Sequence, residues 1–78
     1  MPTVLTIGPY RFFFFSNEGS EPPHIHVDHD DQTAKFWVNP VSLASSIGFD
    51  PRELRRLQLM VIEHRLLFLE AWNGYFGS

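Results

Sequence analysis

With 78 residues and no cysteine, the chain can form one domain with a modest core, and disulfides and thiolate metal sites are excluded as extra stabilisation. A formal net charge of −3 argues against a free-standing nucleic-acid binder, because phosphate affinity comes chiefly from clustered Lys and Arg. No apolar run approaches the roughly 18 residues of a membrane span, and the N-terminus lacks a signal-peptide pattern, so we expect a cytoplasmic protein that does not bind membranes.

The N-terminal half of the chain predicts an antiparallel sheet of about four strands. Residues 3–7 are β-branched and apolar, and a Gly-Pro turn leads into a second strand that ends in four successive phenylalanines. A third strand over residues 24–29 and a fourth over residues 33–38 are joined by a short polar turn. Because turns this short cannot connect parallel strands, we expect antiparallel pairing.

Two helices are expected after the sheet. Residues 41–47 predict a short helix that ends at Gly48, and a long helix is expected over residues 51–73. The start of the long helix has the clearest local signal, since Asp50 can cap it, Pro51 suits its first position and Glu53 completes a capping box. Together the elements predict one α+β domain over residues 1–78, with a small sheet packed on one long C-terminal helix and a short helix before it.

Two apolar stripes run along the predicted long helix. The first has the spacing of a core-facing surface and consists of Leu54, Leu57, Val61, Phe68 and Trp72, with Tyr75 as a further candidate. The second, which we call the outer stripe, consists of Leu59, Ile62, Leu66 and Leu69. A small sheet cannot cover both stripes, and each buried Leu or Ile is worth roughly 1.5 to 3 kcal/mol. We therefore expect a partner chain on the outer stripe; alternatively, residues 41–47 or the C-terminal tail fold over it.

The stretch over residues 21–27 combines two prolines with His24 and His26, whose side chains share one face of the predicted strand. One interpretation is a metal site, because two such imidazoles can reach one Zn²⁺, with Asp28 or Glu21 as a further ligand. Another is structural: the imidazoles form hydrogen bonds with Glu18, Asp28 or the backbone.

A third interpretation of the histidines is a metal-independent endoribonuclease. His24 and His26 would form the acid/base pair that acts on a ribose 2′-hydroxyl and the leaving oxygen. Lys35 and Arg11 would stabilise the charge of the phosphorane. Small toxin endoribonucleases have comparable short α+β domains, whereas the acidic net charge of this chain argues against the interpretation.

Several motifs of the chain together resemble a small bacterial family of unknown function, DUF4160. They are Ile7-Gly8-x-Tyr10-Arg11-Phe12, Ser16-Asn17-Glu18, the stretch over residues 21–27, Ala34-Lys35-Phe36-Trp37, Phe49-Asp50-Pro51-Arg52-Glu53-Leu54 and Glu70-Ala71-Trp72. The resemblance implies a bacterial cytoplasmic protein, often encoded next to another small domain as in a toxin–antitoxin pair, and it implies no activity. The acidic turn over residues 28–31 departs from the more basic turn expected in that family, which makes phosphate binding there less favourable.

From the outer stripe and the resemblance we expect a small bacterial protein-interaction module, one component of a toxin–antitoxin-like pair without a cofactor. It would bind its partner through the outer stripe or through an exposed face of the strand that carries the four phenylalanines. Its partner would be a second copy of the chain or a cognate small protein. The endoribonuclease and the histidine metal-binding domain are the alternatives, so whether the protein is an enzyme stays open at this stage.

Overall fold

The sheet in the computed structural model, which describes residues 3–77, has five antiparallel strands in the order β1-β2-β3-β4-β5. Each strand therefore pairs with its neighbour in sequence. The strands are β1 (Thr3–Ile7), β2 (Tyr10–Phe13), β3 (His24–His29), β4 (Gln32–Val38) and β5 (Val41–Ile47). The α+β class and the antiparallel pairing are confirmed, with one strand more than the expected four.

The fifth strand occupies residues 41–47, so the prediction of a short helix there is wrong. Asn39 and Pro40 form a tight turn that returns the chain along β4, from the pair Val38–Val41 to the pair Thr33–Ile47. The edge of β4 then supplies hydrogen-bond partners to the returning backbone, and this pairing outweighs the weak helix preference of a Leu-Ala-Ser sequence. A register shift opposite Lys35 interrupts the ladder within this hairpin.

The predicted long helix is two helices, α1 (Pro51–Glu63) and α2 (Arg65–Phe76), separated at His64. The backbone of His64 leaves helical geometry, with φ −105° and ψ 18°. Its backbone N–H and its ring Nδ1 both lie 3.0 Å from the carbonyl oxygen of Met60. A second donor on one helical carbonyl competes with the regular backbone ladder, and such competition is a known cause of bends. The expected end at residue 73 is also wrong, because α2 continues to Phe76 and is capped by Gly77 with a φ of 72°.

Asp50 caps α1 as predicted, and its side chain accepts a hydrogen bond of 2.8 Å from the backbone N–H of Glu53. The side chain of Glu53 does not complete a capping box. It accepts a hydrogen bond of 2.6 Å from the hydroxyl of Tyr10, so it joins α1 to β2.

The core lies between one face of the sheet and the two helices. The core-facing stripe is buried as predicted for Leu57, Val61, Phe68 and Trp72, at 4% exposure or less, and Leu54 is half-buried. Its further candidate Tyr75 is 51% exposed, so that assignment is wrong. Of the four successive phenylalanines, three are buried and Phe15 is 40% exposed. Phe68 stacks on Phe12 of β2 at 5.4 Å between ring centroids. Neither helix is long and apolar enough to span a membrane, within residues 3–77. This packing places the outer side of α1 and the loop before β3 at the surface.

Candidate functional site

The loop between β2 and β3 folds back so that Glu18 reaches the start of β3. The side chain of Glu18 accepts a hydrogen bond of 2.9 Å from the backbone N–H of Phe15. The backbone N–H of Glu18 donates a hydrogen bond of 3.3 Å to the carbonyl oxygen of Phe15. Its carbonyl oxygen in turn accepts from the N–H of Glu21 at 3.1 Å. These local bonds define the position of the Glu18 carboxylate.

Glu18, His24 and His26 form a cluster in which one possible ligand atom of each lies within 4.8 Å of the others. We call it the histidine cluster. Nε2 of His26 lies 3.0 Å from Oε2 and 3.1 Å from Oε1 of Glu18. Nε2 of His24 lies 2.9 Å from Oε1. One carboxylate therefore faces both imidazoles, as the two-residue spacing on a strand allows.

His24 is the most constrained member of the cluster, with 1% exposure of the whole residue. Its Nδ1 lies 3.0 Å from the carbonyl oxygen of Pro22, which can only accept a hydrogen bond, so Nδ1 carries the proton. Trp72 of α2 and Trp37 of β4 contact the ring at 4.8 and 5.7 Å between centroids. The ring therefore has a fixed orientation, with Nε2 at 2.9 Å from Oε1 of Glu18.

The carboxyl of Glu18 is ionised near neutral pH. Its burial raises the pKa, but hydrogen bonds from the Phe15 N–H and the imidazole of His26 outweigh burial and leave the pKa below its usual value. The cluster therefore combines one anionic oxygen ligand with two imidazoles.

His26 is the accessible member of the cluster. Phe13 stacks on its ring at 5.4 Å and Phe15 contacts the ring edge-on at 4.9 Å. His26 also lines an open depression of about 250 Å³ with Thr33 and Lys35 of β4 and residues 45–47 of β5. Hydroxyl groups and one ammonium group thus lie next to the histidine cluster.

The other residues predicted for this site are only partly brought together. Lys35 pairs with His26 across β3 and β4, and its ammonium forms an ion pair of 2.7 Å with Glu21. Arg11 is directed elsewhere: its Nε donates to the hydroxyl of Thr3 at 2.9 Å, and its guanidinium lies 4.4 Å from the Phe13 ring centroid. Asp28, considered as a metal ligand from the sequence, pairs with Arg11 across β2 and β3.

Sequence reasoning named Glu18 only as a hydrogen-bond acceptor and missed it as a possible metal ligand. The available signal was its position six residues before His24, in a loop that Pro22 and Pro23 restrict. Spacing within a strand places two histidines together, but the return of a loop over that strand depends on tertiary packing.

The outer stripe lies on the surface for three of its four predicted members. Leu59, Ile62 and Leu66 are 63%, 46% and 66% exposed, whereas Leu69 is half-buried and packs against the core. The neighbouring Leu67 is 42% exposed and extends the exposed apolar surface along α2.

The surroundings of the outer stripe are basic. Four exposed arginines lie on the same two helices, namely Arg52, Arg55, Arg56 and Arg65. Two exposed acidic residues, Glu63 and Glu70, lie there as well. The helical side is therefore basic in a chain that is acidic as a whole.

Neither a curated protein nor a solved structure matches the chain. The family described as "Domain of unknown function (DUF4160)" matches residues 10–73. The match includes all three members of the histidine cluster and the whole outer stripe. The chain thus belongs to the DUF4160 family of domains of unknown function.

Proposed function

We propose that the protein is an interaction module that binds a small cognate protein through the outer stripe, as one component of a toxin–antitoxin-like pair. The observation that supports this proposal best is the exposure of Leu59, Ile62 and Leu66, at 63%, 46% and 66%. Soluble monomers rarely expose several large apolar side chains on one side of a helix, and contiguous apolar patches of this kind mark interaction sites.

The charges next to the outer stripe indicate the chemistry of the partner. Arg52, Arg55, Arg56 and Arg65 would lie side by side in a parallel contact with a second copy, which is unfavourable. A partner with an apolar centre and acidic side chains around it matches both features. We therefore favour a cognate acidic protein over a second copy of the chain.

The endoribonuclease hypothesis has less support from the geometry. A general acid or base has to come within hydrogen-bond distance of its substrate, directly or through one water. His24 is 1% exposed and lies beneath Trp72, so an RNA backbone cannot reach it without a rearrangement of α2. His26 with Lys35 remains accessible, but a single imidazole supplies only half of the proposed acid/base pair.

The proposal is tested by co-expression of the chain with the protein encoded beside it, followed by co-purification and light scattering of the complex. We expect a stable complex whose affinity falls as salt is raised, because the arginines face an acidic partner. Leu66→Glu should abolish the complex, since a carboxylate would be buried in an apolar contact. Leu43→Glu is the matched control, because Leu43 is 40% exposed but lies on β5.

Two results would contradict the proposal. One is a chain that stays monomeric when it is co-expressed with its neighbour. The other is a complex that Leu66→Glu leaves intact while Leu43→Glu disrupts it, which would place the interface on the edge strand β5. If the chain forms only homodimers, the choice of a cognate acidic partner is wrong.

A further inference from the structure

We propose that Glu18, His24 and His26 bind a divalent transition-metal ion, for which Zn²⁺ is the best-suited probe. The proposal is independent of the interaction function proposed above, because it concerns the loop and β3, whereas that function concerns the outer side of the helices. It combines the geometry of the histidine cluster with an unsatisfied nitrogen atom inside it.

The unsatisfied atom is Nε2 of His24. Nδ1 carries the proton donated to Pro22, so in the neutral imidazole Nε2 presents a lone pair. Within residues 3–77 this buried Nε2 has no hydrogen-bond partner, although Oε1 of Glu18 lies 2.9 Å away. The short contact with Oε1 lacks hydrogen-bond geometry, and a buried polar atom without a partner is costly. A cation bound by both atoms would supply the missing partner of Nε2.

The dimensions of the cluster fit one small cation. Zinc binds imidazole nitrogen and carboxylate oxygen at about 2.0 to 2.2 Å, so two ligand atoms of a tetrahedral site lie roughly 3.3 Å apart. From Oε1 of Glu18, which both imidazoles approach, the distances are 2.9 Å to Nε2 of His24 and 3.1 Å to Nε2 of His26. All three ligand atoms lie within 4.8 Å of one another, so small rotations of the partly exposed Glu18 and His26 side chains would bring them to the spacing of zinc ligands.

The ligand set determines the class of metal. Two imidazoles and one carboxylate suit zinc and its first-row neighbours, whereas Mg²⁺ and Ca²⁺ prefer oxygen ligands throughout. The bond from His24 Nδ1 to the Pro22 carbonyl is the outer-shell contact that usually orients a metal-binding histidine. Three protein ligands leave a coordination position for water or a substrate, next to the depression that His26 lines with Lys35.

A proton is the competing explanation for the close contact at His24. If Nε2 also carried a proton, His24 would be an imidazolium ion paired with Glu18. Such a pair involves no metal, so the two explanations differ in their response to added ions.

The experiment is a zinc titration of chelator-treated protein, followed by calorimetry and by thermal unfolding, with Mg²⁺ as the negative control. We expect one zinc ion per chain and, at free zinc about 100 times the dissociation constant, a rise in Tm of roughly 10 to 20 °C for a domain of this size. Co²⁺ should give the visible absorption of a site with low coordination number. Mg²⁺ should change neither signal.

Three variants localise the site. His26→Ala and Glu18→Gln alter partly exposed side chains, so the fold should survive. Each substitution should weaken the affinity for zinc by more than the roughly 10- to 100-fold that is typical when an outer-shell contact is lost. His29→Ala is the matched control, since it removes another histidine of β3 outside the cluster, and it should bind zinc like the original chain.

The proposal is overturned if zinc and cobalt leave the original chain unchanged, which would identify the contact as an imidazolium–carboxylate pair. It is equally overturned if His26→Ala and Glu18→Gln bind zinc as tightly as the original chain. A loss of binding in His29→Ala alone would move the site to the other end of β3.

Discussion

Truncation of Leu66 to alanine tests whether the outer stripe is exposed in the isolated chain. Leu66 is 66% exposed, so only about a third of its side chain is buried, and the expected cost is roughly 0.5 to 1 kcal/mol of unfolding free energy. Alanine is a slightly better helix former than leucine, which reduces that cost further. Leu57 has the same side chain at 0% exposure, so Leu57→Ala should cost about 2 to 5 kcal/mol.

The assay is urea unfolding of both variants and of the original chain at several protein concentrations, followed by the fluorescence of Trp37 and of the buried Trp72. Both variants are unfolded alone and again with the cognate partner in excess. Alone, Leu66→Ala should lose no more than about 1 kcal/mol of unfolding free energy, and the loss should be the same at every concentration. With the partner, the same truncation should weaken binding by at least about tenfold, which corresponds to 1.4 kcal/mol.

A Leu66→Ala chain that loses as much stability as Leu57→Ala at low concentration would contradict this prediction. That result would mean that the chain itself covers the outer stripe. A cost that appears only at high protein concentration would instead show that a second copy covers it.

Three further predictions concern local features of the fold, each measured by urea unfolding. Asp50→Ala should cost about 1 kcal/mol, because the cap on the N–H of Glu53 is lost; an unchanged midpoint would contradict this. Gly48→Ala should destabilise the chain by about 1 to 2 kcal/mol, since the φ of Gly48 is +91°. The control is Gly74→Ala, which should stabilise the chain by up to about 1 kcal/mol, because Gly74 lies inside α2 and nothing lies within 4 Å of the added Cβ. The hydrogen bond to Glu53 raises the pKa of Tyr10, so its contribution to stability is complete below the ordinary pKa of 10.0 and is lost as pH rises through the folded value. The Tyr10→Phe variant should therefore lose less stability above about pH 10 than the original chain, and parallel losses would refute that role.

The elements that sequence alone predicted correctly are those whose signals are local and periodic. The alternation that places Ile25 and Val27 in the core follows from the two-residue period of a strand, and both are fully buried. The break at His64 has no such signal, because neither glycine nor proline lies near it and its cause is a side chain that contacts the carbonyl of Met60. Likewise, residues 41–47 became a strand because β4 offered a free edge, which is a tertiary effect.

The candidate site shows the same division between local and tertiary information. Strand periodicity predicted that His24 and His26 share a face, and they do, with ring centroids 5.2 Å apart. Periodicity did not predict that His24 is buried, because that depends on Trp72, forty-eight residues later in the chain, packing on its ring. The third member, Glu18, comes from a loop whose path no pattern of spacing encodes.

Helix α2 connects the two proposed sites physically. Its Trp72 packs on the ring of His24 at 4.8 Å between centroids, and its Leu66 belongs to the exposed outer stripe. A chain of 78 residues without disulfides has only a small core. Any ligand that binds only the folded chain stabilises it by mass action. Zinc at the histidine cluster would hold the loop and β3 against α2, and a partner on the outer stripe would cover the exposed side of the same helix. Each ligand on its own should therefore raise the free energy of unfolding of the chain.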